Sequence, residues 1–214
     1  MKRFPPTRLL APFCVLALAG CSVLASGDRH PVTLYAPQAR IAADPAWPQV
    51  SWQLAIAKPA AARLVDSPRI NVRPTPGELE VYRGATWSQP ATDMLEDALL
   101  RGFEDSGRIG AVARIATGIR SDYKLAIDLR RFESDYAGNE RPSATIELNA
   151  KLIHSLDQRV VASRTFLVAE PAGSTDVASV ATAFETALGR TTTDLIGWTL
   201  ATGQADWQAS AARH

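Results

Sequence analysis

The chain has 214 residues, 46% of them hydrophobic, with 23 Lys+Arg against 22 Asp+Glu and a formal net charge of +1. That length fits one domain with extensions, and the near-zero balance excludes the basic excess of a nucleic-acid binder. No stretch supplies the roughly 20 consecutive apolar residues of a membrane-spanning helix.

Residues 1–20 read as a signal peptide. Lys2, Arg3 and Arg8 precede an apolar run from Leu9 to Ala19, broken by Pro12, and small residues close it. The run ends in Leu18-Ala19-Gly20-Cys21, the pattern of a bacterial lipobox. Cleavage between Gly20 and Cys21 would follow alkylation of the Cys21 thiol with a diacylglyceryl group, and acyl chains on Cys21 would then hold the protein at a membrane. The plainer alternative is an ordinary cleavable signal in which Cys21 is incidental. The other of the two cysteines, Cys14, lies inside the signal. The processed chain therefore has no pair to oxidise and no thiolate metal site. Removing residues 1–20 takes three of the 23 basic residues and none of the 22 acidic ones, a formal balance of −2.

Residues 21–31 form the expected lipidated cysteine and tether, small and polar; the ten residues after Cys21 reach roughly 30 Å when fully extended. Residues 32–203 are expected as a single domain and 204–214 as a flexible tail. Within the domain, residues 36–50 carry Pro37, Pro45 and Pro48 and read as irregular chain on the surface. Gln53–Lys58, Arg69–Arg73, Glu78–Arg83 and Ala111–Ile115 read as short strands. Between the last two, Leu95, Leu99 and Phe103 recur every four residues with charges on other faces, which predicts a helix within Ser88–Ser106. Ser88 or Thr92 is its candidate N-cap and Gly107 its stop.

Three longer strands follow. Tyr123, Leu125, Ile127 and Leu129 alternate with charged residues across Asp122–Asp135, and Ile146, Leu148, Ala150 and Leu152 alternate with polar ones across Ser143–Ser155. Val160, Ala162, Phe166 and Val168 share a face in Arg159–Glu170. A short turn at Leu156-Asp157-Gln158 makes the last two an antiparallel hairpin. A final helix is expected from Asp176 to about Ala201, with Val177, Val180, Phe184, Leu188, Leu195 and Trp198 near one stripe. The fold class predicted is α+β, a largely antiparallel sheet with two helices packed on one face.

Catalytic and metal chemistry find no foothold. His30, His154 and His214 lie in the tether, by a hairpin turn and at the terminus, so no metal is assigned. No phosphate-binding loop or nucleophile elbow is present, and no cofactor is expected. Asp128 and Glu147 form an imaginable carboxylate pair, but both fall on the polar face of their strands. An enzyme is not expected. Two surfaces remain as candidate partner contacts. Tyr82 and Trp87 lie in the segment before the first helix, where Trp87 either packs the turn onto the core or stands exposed as an anchor. Arg130 and Arg131 lie near the end of the Asp122–Asp135 strand, whose edge could accept another chain or be protected by those charges.

The lipobox and tether, Val32-Thr33-Leu34-Tyr35, Pro68-Arg69-Ile70-Asn71-Val72, Glu80-Val81-Tyr82 with Trp87 five residues on, the helix Asp93-Met94-Leu95-Glu96-Asp97-Ala98-Leu99, and Leu125–Phe132 with its hairpin follow in one order. Over nearly all of residues 21–200 this resembles the ABC-type transport auxiliary lipoprotein family. The resemblance implies a non-catalytic lipoprotein of the Gram-negative envelope, anchored in the outer membrane and facing the periplasm. It further implies an MCE-domain protein and/or ABC permease components as partners in moving lipids or other hydrophobic molecules between membranes. Self-association stays open, as do an assembly lipoprotein of the outer membrane and a lipid-binding shuttle.

Overall fold

The computed structural model describes residues 31–118 and 120–212. Gly20, Cys21, the signal peptide, His30 and His214 lie outside the described residues, as does the tether apart from Pro31. The described residues from Val32 onward form one compact unit.

Nine strands and two long helices build the body: β1 (Thr33–Tyr35), β2 (Leu54–Ile56), β3 (Ala60–Ala61), β4 (Arg69–Arg73), β5 (Glu80–Trp87), α1 (Ala91–Ser106), β6 (Val112–Arg114), β7 (Tyr123–Asp135), β8 (Ser143–His154), β9 (Val160–Pro171) and α2 (Val177–Ala211). The long alternating strands form the antiparallel ribbon β7–β8–β9 with near-continuous register. On its other side β7 takes three short strands in turn: β2 at its start, β3 in its middle and β4 at its end, all parallel. β5 extends β4 antiparallel, while β1 joins β5 and β6 joins β2 in parallel.

The sheet is therefore mixed, and the expected largely antiparallel arrangement is corrected. Parallel neighbours require a longer crossover connection, whereas the antiparallel pairs β4–β5, β7–β8 and β8–β9 are each joined by a short turn. β7 is also interior, with neighbours along both sides, so it offers no edge to accept a chain or to protect. β9, paired to β8 alone, is a twelve-residue edge strand instead.

A bulge lies between Leu129 and Arg131 of β7. Before it the odd residues Tyr123, Leu125, Ile127 and Leu129 face the core; after it the even residues Phe132 and Ser134 do, leaving Arg131, Glu133 and Asp135 on the opposite face. The core between sheet and helices is filled by Trp52, Trp87, Tyr123, Phe103, Phe132, Phe184 and aliphatic neighbours. Trp87 meets Phe132 and Phe184 edge-on at 5.9 and 5.0 Å, and Phe132 stacks on Phe184 at 4.6 Å.

α1 starts after Pro90 with no side-chain cap and stops at left-handed Gly107 (φ 60°), the expected stop. Neither Ser88 nor Thr92 caps it: Thr92 is buried and its hydroxyl donates to Asp66, tying the helix start to the loop before β4. α2 runs 35 residues to Ala211, past the expected end near Ala201, so residues 204–211 are helical rather than a loose tail.

A strap of irregular chain joins β1 to β2, and helix glycines admit it. A Cβ on Gly189 would stand 2.9 Å from the Arg40 carbonyl oxygen, one on Gly197 2.6 Å from the Trp47 indole nitrogen, and one on Gly203 2.5 Å from the Trp52 ring. A Cβ on Gly102 of α1 would meet Ile41 and Ile196 at 2.6 Å. Glycine costs a helix interior about 1 kcal/mol relative to alanine, and here its bare backbone is what lets the strap lie against the helices.

Candidate functional site

The structure does not gather the four candidate contact residues into one surface. Trp87 is 1% exposed and belongs to the core, so of its two readings packing holds and an exposed anchor does not. Tyr82 is half-buried against that core, its hydroxyl 3.1 Å from Ser134 Oγ, and burial pushes its pKa above the usual phenol value. Arg131 lies on the other side of β7 from Ser134, with Arg130 at the bulge just before it.

Around Arg131 the sheet carries a compact charge cluster. Glu133 is 3% exposed and accepts Arg73 Nε and Nη2 at 2.8 and 3.0 Å and Arg131 Nε at 2.7 Å. Arg131 also donates to Asp135. The hydrogen bonds to Glu133 hold the Arg73 guanidinium firmly charged against the opposing pull of burial. Arg130 pairs with Asp128 at 3.3 Å and Glu147 at 3.6 Å. Asp128 and Glu147 thus serve surface ion pairs, and every charge in the group is matched by a neighbour. The Arg73–Glu133–Arg131–Asp135 group orders the end of the sheet, while Arg130 and Asp128 stand at the surface.

A second polar chain ties α2 to the β8–β9 hairpin. Tyr123 Oη donates to Asp206 Oδ2 at 2.9 Å, Arg159 Nη2 reaches Asp206 Oδ1 at 3.0 Å, and His154 Nδ1 lies 2.8 Å from Asp157 Oδ1. Burial, then the hydrogen bond to Asp206, raises the Tyr123 pKa strongly. A groove of about 660 Å³ runs between Arg40 and Ala42 of the strap and one side of α2, where Glu185, Arg190 and Asp194 mix charges of both signs.

One exposed apolar row was not singled out from the sequence. β1 pairs Leu34 with Thr86 of β5, and β4 pairs Arg69 with the same Thr86. Leu34, Thr86 and Arg69 therefore stand side by side on the outer face, while Tyr35 and Trp87 turn inward. Leu34 is 68% exposed, Val32 58%, and Arg69 is exposed too. The signal was present in the alternation of Val32 and Leu34 with Thr33 and Tyr35.

A profile for the ABC-type transport auxiliary lipoprotein component matches residues 33–195, from β1 to the middle of α2. The chain belongs to this family. The chain is similar to the crystal structure of protein XCC0632 from Xanthomonas campestris: 72% identity, TM-score 0.81, with 83% of this chain and 99% of that chain covered. An uncharacterized protein of Bradyrhizobium diazoefficiens is 30% identical over 156 residues, covering 73% of this chain; the chain spans 41% of that relative's length. A further solved structure of an uncharacterized protein shares the fold at 13% identity and a TM-score of 0.60, covering 78% of this chain and 97% of that one. The family is one of auxiliary lipoproteins, and among the described residues no helix is long and apolar enough to cross a membrane.

Proposed function

We propose that this auxiliary lipoprotein is a non-catalytic accessory of an ABC/MCE-type system that moves lipids or other hydrophobic molecules between the inner and outer membranes. Acyl chains on Cys21 anchor it in the outer membrane, the body faces the periplasm, and an MCE-domain protein or permease component docks on it. The family match across residues 33–195 carries this reading. The filled core supports a docking role over a cargo-holding one, because Trp52, Trp87, Phe132 and Phe184 occupy the space between helices and sheet where a lipid would have to lie.

Ser22 follows the anchoring cysteine. Ser22→Asp is expected to retain the protein at the inner membrane and to impair transport while leaving the fold intact. Membrane fractionation with a crosslinking pull-down tests both halves. An inner-membrane wild type, or a pull-down with no MCE-type or permease component, overturns the proposal in favour of an assembly lipoprotein.

A further inference from the structure

The chain enters the body at Val32, with only ten residues between it and Cys21. Ten to eleven residues span at most roughly 40 Å, so an acylated Cys21 keeps β1 near the lipid surface at all times. β1 is the outermost strand of its side of the sheet, paired to β5 alone. Its outward side chain Leu34 is 68% exposed, and Val32, the residue just before the strand, is 58% exposed. Soluble edge strands ordinarily carry charge at such positions. In the same row stands Arg69, exposed and without an ion pair among the described residues.

We infer that the outer face of β1–β5–β4, with Val32, Leu34 and Arg69, is a seat for the lipid surface to which the protein is tethered. Leu34 and Val32 enter the boundary between headgroups and acyl chains, and the Arg69 guanidinium takes a lipid phosphate oxygen as hydrogen-bond acceptor. Two aliphatic side chains would bind a bilayer weakly from solution. A short tether raises the local concentration of the bilayer to the millimolar range, which turns a weak contact into a populated one. Seating fixes the orientation of the body, so the ends of the sheet are presented to a periplasmic partner in one attitude. The inference rests on the lipid anchor at Cys21 proposed above.

The processed chain has no cysteine other than Cys21, so one introduced thiol can be labelled alone. Acylated full-length protein carrying Leu34→Cys or Thr165→Cys, each labelled with an environment-sensitive fluorophore, is placed in vesicles of phosphatidylethanolamine and phosphatidylglycerol containing brominated chains. Position 165 lies on the exposed face of β9 and is the aqueous reference. Several-fold stronger bromine quenching at 34 than at 165 is expected, and Val32→Asp with Arg69→Glu should reduce the signal at 34 to the level of 165 while circular dichroism stays unchanged. Equal, weak quenching at both positions in vesicle-bound, acylated protein overturns the seat and spares the anchor. Protein that floats free of vesicles, with Cys21 unmodified by mass spectrometry, overturns the anchor and the seat with it.

Discussion

Replacing Gly197 with alanine separates two opposing effects whose signs differ. Considered as a helix position, the change should stabilise α2 by about 1 kcal/mol, because alanine restricts the unfolded chain and suits a helix better than glycine. The strap reverses that expectation. The added Cβ would stand 2.6 Å from Trp47 Nε1, 3.2 Å from Cε2 and 3.3 Å from Cδ1. The indole, itself only 8% exposed, must move by close to an ångström, and overpacking of this kind costs about 1–3 kcal/mol. The expected net effect is a destabilisation of about 1 kcal/mol, read from urea denaturation followed by far-ultraviolet circular dichroism. In a Trp47→Ala background nothing opposes the new methyl group, and Gly197→Ala should there stabilise by about 1 kcal/mol. The coupling between the two sites is then about 2 kcal/mol, well above the few tenths expected of independent positions. Stabilisation by Gly197→Ala in both backgrounds would refute the close approach of strap and helix.

Leu125→Asp or Ile127→Asp buries a charge without a partner and should cost several kcal/mol, whereas Asp128→Ala and Glu147→Ala should each stay within about 1 kcal/mol because their ion pairs lie at the surface; equal losses from both sets in denaturant melts would contradict the facing of β7. Glu133→Ala leaves Arg73 and Arg131 confronting each other with no anion between them, an expected loss of about 3–5 kcal/mol in the same measurement. Burial and the Asp206 hydrogen bond raise the folded-state pKa of Tyr123 above its ordinary value of 10.0. The stability this contributes is complete below pH 10 and falls as pH rises from there towards the folded-state value; in alkaline titrations Tyr123→Phe should be less stable at neutral pH and should lose less of its stability above pH 10.

Much of the body was legible because long elements repeat their pattern often enough to be read. α1 shows three apolar residues at spacing four, and β7, β8 and β9 are twelve or thirteen residues long with extended runs of alternation, that of β7 holding as far as Leu129. The short strands carry two to five residues each, too few to reveal a partner, so their parallel pairing along β7 was decided by tertiary packing. The end of α2 was misplaced for a specific reason. Gly203 and the small residues after it resemble a frayed terminus, yet Gly203 is where the buried Trp52 ring lies against the helix, and that contact carries the helix onward. Trp87 illustrates an ambiguity that sequence alone leaves open, since a tryptophan ahead of a helix suits a core and a contact surface equally well. The charge cluster was visible only in part: Arg131, Glu133 and Asp135 are neighbours in sequence, but Arg73 reaches Glu133 through the pairing of β4 with β7.

The strap also decides how a pull on the amino terminus is borne. Arg40 lies at Gly189, Trp47 at Gly197 and Trp52 at Gly203, so strap and helix run in the same direction over about 21 Å of α2. Tension along the chain therefore loads these contacts in shear, several at once, rather than opening them one after another like a zipper. While β1 and the strap both hold, a leash from a lipidated Cys21 to Val32 would be at most roughly 40 Å long; stripped back to β2 it would lengthen to about 110 Å. If the protein is held by a lipid at Cys21, as proposed, the contacts at the α2 glycines would help to set the working radius of its body.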